Sequence, residues 1–576
     1  MARTLIATLL LCTAAFAEDL TLVKDGKSDY VIYLSENASP ADARCAQELQ
    51  TYLKEMSGAE LRIVRDLHAV PETCILIGFL PYEDNDKPNT VTDGLGDEGY
   101  LLSTSGKRVI IFGGRRGVLY AGYALLEQLG VRWYTPKVTR VPVRSTVTIG
   151  PLDEVSQPAF EYREPFFTEA FDKDWAARNR VNGASMQLDE STGGKVTYHP
   201  FVHTFDELVP GALYAERPEY FSLIDGNRFS GYGQRCLSNP NVLKHAIAKV
   251  QVWIQTHPEA QIYSVSQNDC GNWCQCEGCR AITEKYGAHS GLYLWFVNQV
   301  AEAIERDHPD KLIDTLAYQF TEAPPKDIVP GRNVRVRLCP IACCEAHPYE
   351  TCSAASNKAF LDHLKGWGAI TDTLYIWHYN TDFAHYLMPF PDFDEFPAEA
   401  RLYKKCGVRG IFFEGAYAPG GGGSDAELRS WVMARLLWNP DQDADALVTE
   451  WMKGVYGAAW EPMRKWFDLL HERARDPNHH LFIYDPPTHP IFSEEVLVAG
   501  DALFDEAEKL ATGDAIATEY VAKARISLRY VKLARAPKEG PELDGFLADL
   551  RRLGVTQPRE GQPLDAWETE FRQRAR

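Results

Sequence analysis

Apolar residues recur along this chain at two spacings, and the changeover between them organises the first 150 positions. Tyr30 to Leu34, Leu61 to Val64, Cys74 to Gly78, Tyr100 to Ser103 and Val109 to Phe112 are short runs rich in strand formers, and each predicts a strand. Between them, Ser39-Pro40-Ala41-Asp42 supplies a cap, a proline for the first turn and an early acid. Ala46, Leu49, Leu53 and Met56 then follow at helical spacing. A second helix is predicted over Gly117 to Leu129, closed by Gly130. Residues 18–150 therefore read as a small α/β domain. Gly113-Gly114-Arg-Arg-Gly117 lacks the Gly-Lys-Ser/Thr ending of a phosphate loop and reads as a turn. Val141-Pro-Val-Arg-Ser through Pro151-Leu-Asp, rich in turn formers, reads as a linker.

Beyond it the alternation resumes with a longer period. Strands are predicted at Phe160–Phe166, near Ser185–Gln187, and at Phe221–Ile224, Ile262–Ser266, Leu312–Tyr318, Val334–Leu338, Leu374–Trp377 and Gly410–Glu414. Helices are predicted at Asn241–Gln255, His289–Arg306, Asn357–Trp367 and Pro397–Lys405. About eight strands alternating with helices predict a closed parallel (β/α)8, TIM-like barrel over 151–440. An open doubly wound sheet fits less well, because no Gly-x-Gly-x-x-Gly opens a helix. Gly420 to Gly423 reads as a flexible loop, and Ser424-Asp-Ala-Glu427 as a capping box. Residues 441–576 stay helical in pattern, with Leu447, Trp451, Val455, Trp466, Leu469 and Leu470 as core. Their expected role is packing.

Composition narrows the function classes. The formal charge of −20, with no offsetting Lys/Arg cluster, argues against nucleic-acid binding. Arg3, the apolar stretch Leu5 to Phe16 and the small-x-small site Ala15-Phe-Ala17 read as a signal peptide over 1–17, hence a secreted or periplasmic protein. No later apolar run is long enough to span a bilayer. Of thirteen cysteines, Cys12 lies in that segment. The rest are compatible with disulfides or structural thiols. Cys270, with Cys274, Cys276 and Cys279 of a Cys-x-Cys-x-x-Cys group, could instead form part of a zinc site, although this is not the paired Cys-x-x-Cys of the strong zinc patterns. Cys343, Cys344 and Cys352 could pair with these. No cofactor is expected, and oligomeric state is not legible.

Candidate chemistry gathers where strands end. Ile262-Tyr-Ser-Val-Ser-Gln-Asn-Asp269 runs from a buried strand into polar turn formers, which in a barrel puts Asn268 and Asp269 at the mouth. Asp269 reads either as half of an acid/base pair or as an Asx turn. Arg163 and Glu164, His203, Tyr318, Glu345, Trp377, Tyr379, Asp382 and Glu414 fall near other strand ends. Each has a structural alternative: an ion pair, a buried hydrogen-bonder, a core ring or a rim cap. Carboxylates interleaved with aromatic rings suit a sugar site, since rings stack on the apolar faces of pyranoses while polar groups bind hydroxyls.

Several motifs then carry a family resemblance: Val265-Ser-Gln-Asn-Asp269 with Cys274-x-Cys-x-x-Cys279, Arg337-Leu-Cys-Pro340 with Cys343-Cys344 and His347-Pro348, Ile376-Trp-x-Tyr379, and Leu436-Leu-Trp-Asn-Pro440. The chain resembles the domain of unknown function 4838, part of which is classed as glycoside hydrolase family 163. Tyr30–Pro136 resembles the α-glucuronidase-type N-terminal domain. The resemblance implies a glycosidase acting on N-acetylhexosamine-containing glycans, assisted by the substrate's acetamido group. It implies Asp269 as proton donor, Asn268 as the group orienting the acetamide, Arg163 gripping ring hydroxyls, and Trp377 and Tyr379 lining the pocket. Glu414 is a further catalytic candidate. An uronic-acid glycosidase using Asp269 with Glu414 or Glu345, and a non-catalytic glycan binder, are the alternatives. Two positions depart from the family pattern: His378 stands where relatives commonly carry Asp, and Phe412-Phe413-Glu414-Gly415 shifts a carboxylate by one.

Overall fold

The computed structural model describes residues 19–78 and 94–576; the predicted signal peptide lies outside the described residues. The described residues form two compact units, one within 19–78, 94–132, 140–157 and 190–193, the other of 133–139, 158–189 and 194–576.

The first unit is built on a six-stranded sheet, in order Asp153–Ser156, Tyr100–Ser105, Arg108–Gly113, Cys74–Ile77, Val31–Leu34, Arg62–Val64. The helix Pro40–Ser57 begins as the sequence predicts: Ser39 accepts from the Asp42 amide and Asp42 reaches back to the Ser39 amide. The expected linker is different. Val147–Ile149 pairs with Leu20–Val23, and Asp153–Ser156 pairs with Tyr100–Ser105, so this stretch is strand rather than spacer.

The second unit is organised by a curled, wholly parallel sheet of six strands, in order Tyr162–Phe166, Gly410–Glu414, Leu374–Tyr379, Val334–Cys339, Leu312–Tyr318, Ile262–Ser264. Two expected staves do not join this sheet. Phe221–Ile224 contributes Leu223–Ile224 to a separate two-stranded hairpin, and Ser185–Gln187 is irregular. Between the outer strands the backbone is bridged locally: the Asn182 amide donates to the Arg163 carbonyl, the Val196 amide to the Asn182 carbonyl, and Tyr198 bridges Ile262. Short polar stretches such as Asn182-Gly-Ala-Ser185 lack the β-branched and aromatic residues that make a long ladder.

Alternation along the strands decides what faces inward. The register aligns Tyr375 with Gly410, Trp377 with Phe412 and Tyr379 with Glu414. Asp314, Leu316 and Tyr318 align with Arg335, Arg337 and Cys339. The lower layer is closed by Arg337, which is fully buried, 3.5 Å from Asp314 and bonded at 2.6 Å to the Tyr198 hydroxyl. The rings of Tyr162, Phe201 and Phe412 surround its guanidinium. Such a charge is tolerated in a dry interior only when paired, and here both an acid and aromatic faces compensate it.

Near the C-terminal helical region two expectations change. Gly420, Gly421 and Gly422 all have positive φ, and a Cβ at Gly420 would sit 1.9 Å from the Gly554 carbonyl oxygen. The glycine run is a close-packed crossing rather than a loose loop. The helix Ala426–Trp438 starts at Asp425 in the left-handed region without a side-chain cap. Glu427, expected to complete a capping box, instead bonds Lys523 at 2.7 Å. Among the described residues no helix is long and apolar enough to cross a membrane.

Candidate active site

The inward-facing residues of the upper layer open into a cleft of about 240 Å³ at the C-terminal ends of the parallel strands. Leu316 and Tyr318, Cys339, Trp377 and Tyr379, and Glu414 come from four adjacent strands; His203 and Asp269 come from loops on the facing side. Ile483, Tyr484 and Glu560 complete the wall from the helical region, so that region does more than pack.

Glu414 is the buried acid of the cleft, 8 % exposed. Trp377 Nε1 donates to its Oε2 at 2.7 Å, fixing the carboxyl against the indole. Burial, with the charges of Glu560 and Asp269 behind it, raises this carboxyl to about 8 against the downward pull of the Trp377 hydrogen bond. A carboxylic acid protonated near neutral pH, held in one rotamer and facing a cleft is equipped to give a proton. Asp269, by contrast, is exposed at the cleft wall. Its backbone amide donates to the Tyr232 hydroxyl at 3.1 Å. The Tyr318 hydroxyl is held well above its ordinary value by burial, then by the neighbouring Asp269 charge. Tyr318 thus stays a hydrogen-bond donor beside that carboxylate. His203, at φ +57, bonds the Gln267 carbonyl through Nδ1 at 2.8 Å.

Six of the eleven candidate residues from the sequence therefore line this cleft: Asp269, Glu414, His203, Tyr318, Trp377 and Tyr379. Five do not. Asn268 is fully buried, with Nδ2 donating to the Gly233 carbonyl and Oδ1 accepting from the Asp206 amide, so its amide is spent on backbone. Arg163 points out of the sheet, bonded to the carbonyls of Arg180 and Phe160 and stacked over Trp438. Glu164 faces inward one layer too low, level with Phe412, where the Tyr162 hydroxyl and the Ser185 amide hold it. Asp382 is a buried turn residue accepting from the Ala384 amide at 2.9 Å. Glu345 is buried against the Tyr349 hydroxyl and His378.

His378 itself lies on the outward face, bonded to Tyr403 at 2.8 Å and Glu395 at 3.2 Å. The family departure at that position consequently does not touch the cleft, whereas Glu414 keeps a carboxylate in it. Sequence reasoning missed Ile483, Tyr484 and Glu560, which follow no strand and carry no local motif. The cysteines are free thiols among the described residues, not disulfides. Cys274, Cys276 and Cys279 do converge, but with Cys236, a partner 38 positions upstream that the spacing did not suggest.

The fold is one that solved glycoside hydrolases share. The family model described as domain of unknown function (DUF4838) matches residues 133–468, and the chain belongs to that family. Residues 23–125 match the model described as glycosyl hydrolase family 67 N-terminus, in line with the α-glucuronidase-type domain expected there. A search of curated proteins finds no match. Among solved structures, a family 115 4-O-methyl-α-glucuronidase with specificity for decorated arabinogalactans aligns with TM-score 0.58 and 14% identity, covering 95% of this chain and 78% of that one. A family 89 glycoside hydrolase from Clostridium perfringens, in complex with GlcNAc-α-1,4-galactose, aligns at TM-score 0.47 and 10% identity, covering 92% and 65%. At 14% identity the first of these likenesses is one of fold alone.

Proposed function

We propose that this protein is an exported glycosidase that cleaves a neutral, N-acetylhexosamine-containing glycan, with Glu414 as the proton donor and Asp269 as the second carboxylate. The observation that carries the reading is the pairing of a buried, proton-holding Glu414 with an exposed Asp269 across a cleft lined by Trp377, Tyr379, Tyr318 and Tyr484. Two carboxyl groups in unlike environments take unlike roles: one keeps its proton for the leaving oxygen, the other faces the developing positive charge at the anomeric carbon. In the substrate-assisted form of this chemistry, Asp269 steers the acetamido group that attacks that carbon. Asn268, withdrawn into backbone hydrogen bonds, takes no part.

Three acids line the cleft, and among the described residues no lysine or arginine does. An uronate would meet the Asp269 and Glu560 charges there with no lysine or arginine to offset them, which favours a neutral sugar over the uronic-acid alternative. The aromatic lining supplies the stacking faces that a pyranose needs.

The test separates the two roles. Glu414→Gln should lose most activity on substrates with poor leaving groups, yet retain it on a dinitrophenyl glycoside, which leaves without a proton. Asp269→Asn should lose both. Inhibition by N-acetylhexosamine thiazoline should accompany the acetamido route. Equal losses on both substrates for Glu414→Gln would sink the assignment, and binding without turnover of any glycan by the wild type would turn the reading to a glycan-binding protein.

A further inference from the structure

Two clusters of sulfur and nitrogen donors stand outside the cleft, and neither is used by the proposed chemistry. In the first, the sulfurs of Cys236, Cys274, Cys276 and Cys279 all lie within 4.8 Å of one another. Cys236 is 3.5 Å from Cys276 and 4.0 Å from Cys279. A disulfide would require about 2.05 Å. Four thiolates around zinc, each about 2.3 Å from the ion, stand about 3.8 Å apart. The spacing here is that of a tetrahedron's edges, not of a bond.

The surroundings are those of thiolates. The Leu223 amide donates to Cys274 Sγ at 3.3 Å and the Cys279 amide to Cys276 Sγ at 3.4 Å. Cys276 caps the helix Glu277–Tyr286, where the positive helix end favours anionic sulfur. Arg228 Nη1 is 3.9 Å from Cys274 Sγ, a cation placed to offset the surplus negative charge of a four-thiolate site.

The second cluster is Cys344, His347, Cys352 and His480, again within 4.8 Å. Both imidazoles offer Nδ1: His347 is 3.5 Å from Cys344 Sγ, and His480 is 3.7 Å from Cys352 Sγ. Their other nitrogens are engaged, His347 Nε2 at 3.1 Å from the Asp476 carbonyl and His480 Nε2 at 3.2 Å from the Ser353 hydroxyl. Donation of the far N–H to an oxygen fixes the tautomer that presents a lone pair to a metal, the arrangement typical of ligating histidines.

We propose that the protein holds two structural zinc ions, one at Cys236–Cys274–Cys276–Cys279 and one at Cys344–His347–Cys352–His480, each tying together chain segments that form the cleft walls. Sulfur-rich tetrahedral donor sets select zinc over the hard cations, and full protein ligation leaves no open position for catalysis. The first site joins the loop after Asp269 to the segment following Tyr232. The second joins the loop after Ile341 to the stretch that carries Ile483 and Tyr484 into the cleft. Neither site depends on the glycosidase reading.

Metal analysis of the purified wild-type chain should find two zinc ions per molecule. Cobalt replacement should give the intense visible and sulfur-to-metal absorption of tetrahedral thiolate sites. Cys279→Ser should lower the count by one and keep the second site; Cys352→Ser should do the converse. Stripping with a chelator should lower the melting midpoint, and added zinc should restore it. Less than one zinc per chain after loading, with all thiols titrating freely, would overturn the proposal. So would a non-reducing peptide map joining these cysteines as disulfides. One zinc, lost in Cys279→Ser and kept in Cys352→Ser, would overturn the second site alone. The wild-type count decides the matter even if a variant fails to fold.

Discussion

Glu414 and Glu345 are two glutamates near the same end of one parallel sheet, both with carboxyls raised by burial, and only one belongs to the cleft. Glu414 closes its strand on the inward parity, level with Tyr379, and retains 8 % exposure. Glu345 follows the strand Val334–Cys339 by six residues, and its loop turns it into the layer behind the sheet. There the Tyr349 hydroxyl lies 3.0 Å away and His378 3.4 Å away, with no exposure at all. The contrast teaches that a raised carboxyl near a strand end marks burial first. Access to a cavity is what turns such a proton into a reagent.

The comparison breaks most directly by neutralising both acids. Glu414→Gln should lower kcat by about 10²–10⁴-fold on unactivated substrates, the range for a lost general acid. Glu345→Gln should leave kcat within about twofold at temperatures well below melting. It should cost about 1–3 kcal/mol of stability through a disturbed buried hydrogen bond, read by denaturant melts. A large kcat loss in Glu345→Gln with unchanged stability would erase the distinction.

The pH profile sharpens it. A proton donor works only while protonated, so activity should fall as pH rises through about 8, where Glu414 titrates. Folding stability carries the same sign. The folded carboxyl titrates above its unfolded value of about 4.3, so its contribution is complete below that value and is lost as pH rises toward 8. Glu414→Gln should flatten that part of the stability curve while removing the alkaline limb of the rate.

What was legible in the sequence follows this same division. Strands such as Leu312–Tyr318 and Gly410–Glu414 were readable because a buried parallel strand is written as a local apolar run. Asp269, Trp377, Tyr379 and Glu414 could be found because the end of such a strand is also local. Arg163 and Glu164 went astray for a different reason: they sit in the first strand, but one points outward and the other a layer too low, and parity relative to an unseen register is not local information. Tyr484, Glu560, Cys236 and His480 lie far along the chain from the groups they meet. Only tertiary folding brings them there, and their immediate neighbours carry no trace of it.

A smaller effect isolates the indole. Trp377→Phe keeps a ring against the cleft but removes the Nε1 donor 2.7 Å from Glu414 Oε2. That bond favours the charged carboxylate, so without it the Glu414 proton is held more tightly and the alkaline limb should move to higher pH. A loss of about 1 kcal/mol, or several-fold in rate, is expected from the freed carboxyl rotamer. Movement of the limb toward acid would mean that Trp377 acts on Glu414 through desolvation rather than through its hydrogen bond.

Glu560→Gln should produce the smallest change and the opposite sign. Glu560 comes from the helical region, accepts from the Tyr417 hydroxyl at 2.9 Å, and is exposed at the edge of the cleft. Its negative charge disfavours ionisation of Glu414, second only to burial among the effects that raise it. Neutralising it removes that repulsion while leaving the indole bond and the burial in place, so the alkaline limb should move slightly toward acid. Because the charge is solvent-exposed, the movement should shrink as salt is added. The Trp377→Phe movement, which arises from a direct, part-buried hydrogen bond, should persist at high salt. Glu345→Gln should move the limb in neither direction, since no cleft group faces it. A limb that ignores Glu560→Gln at low salt would show that Glu414 does not sense the wall contributed by the helical region, and that the proton in the rate profile belongs to another group.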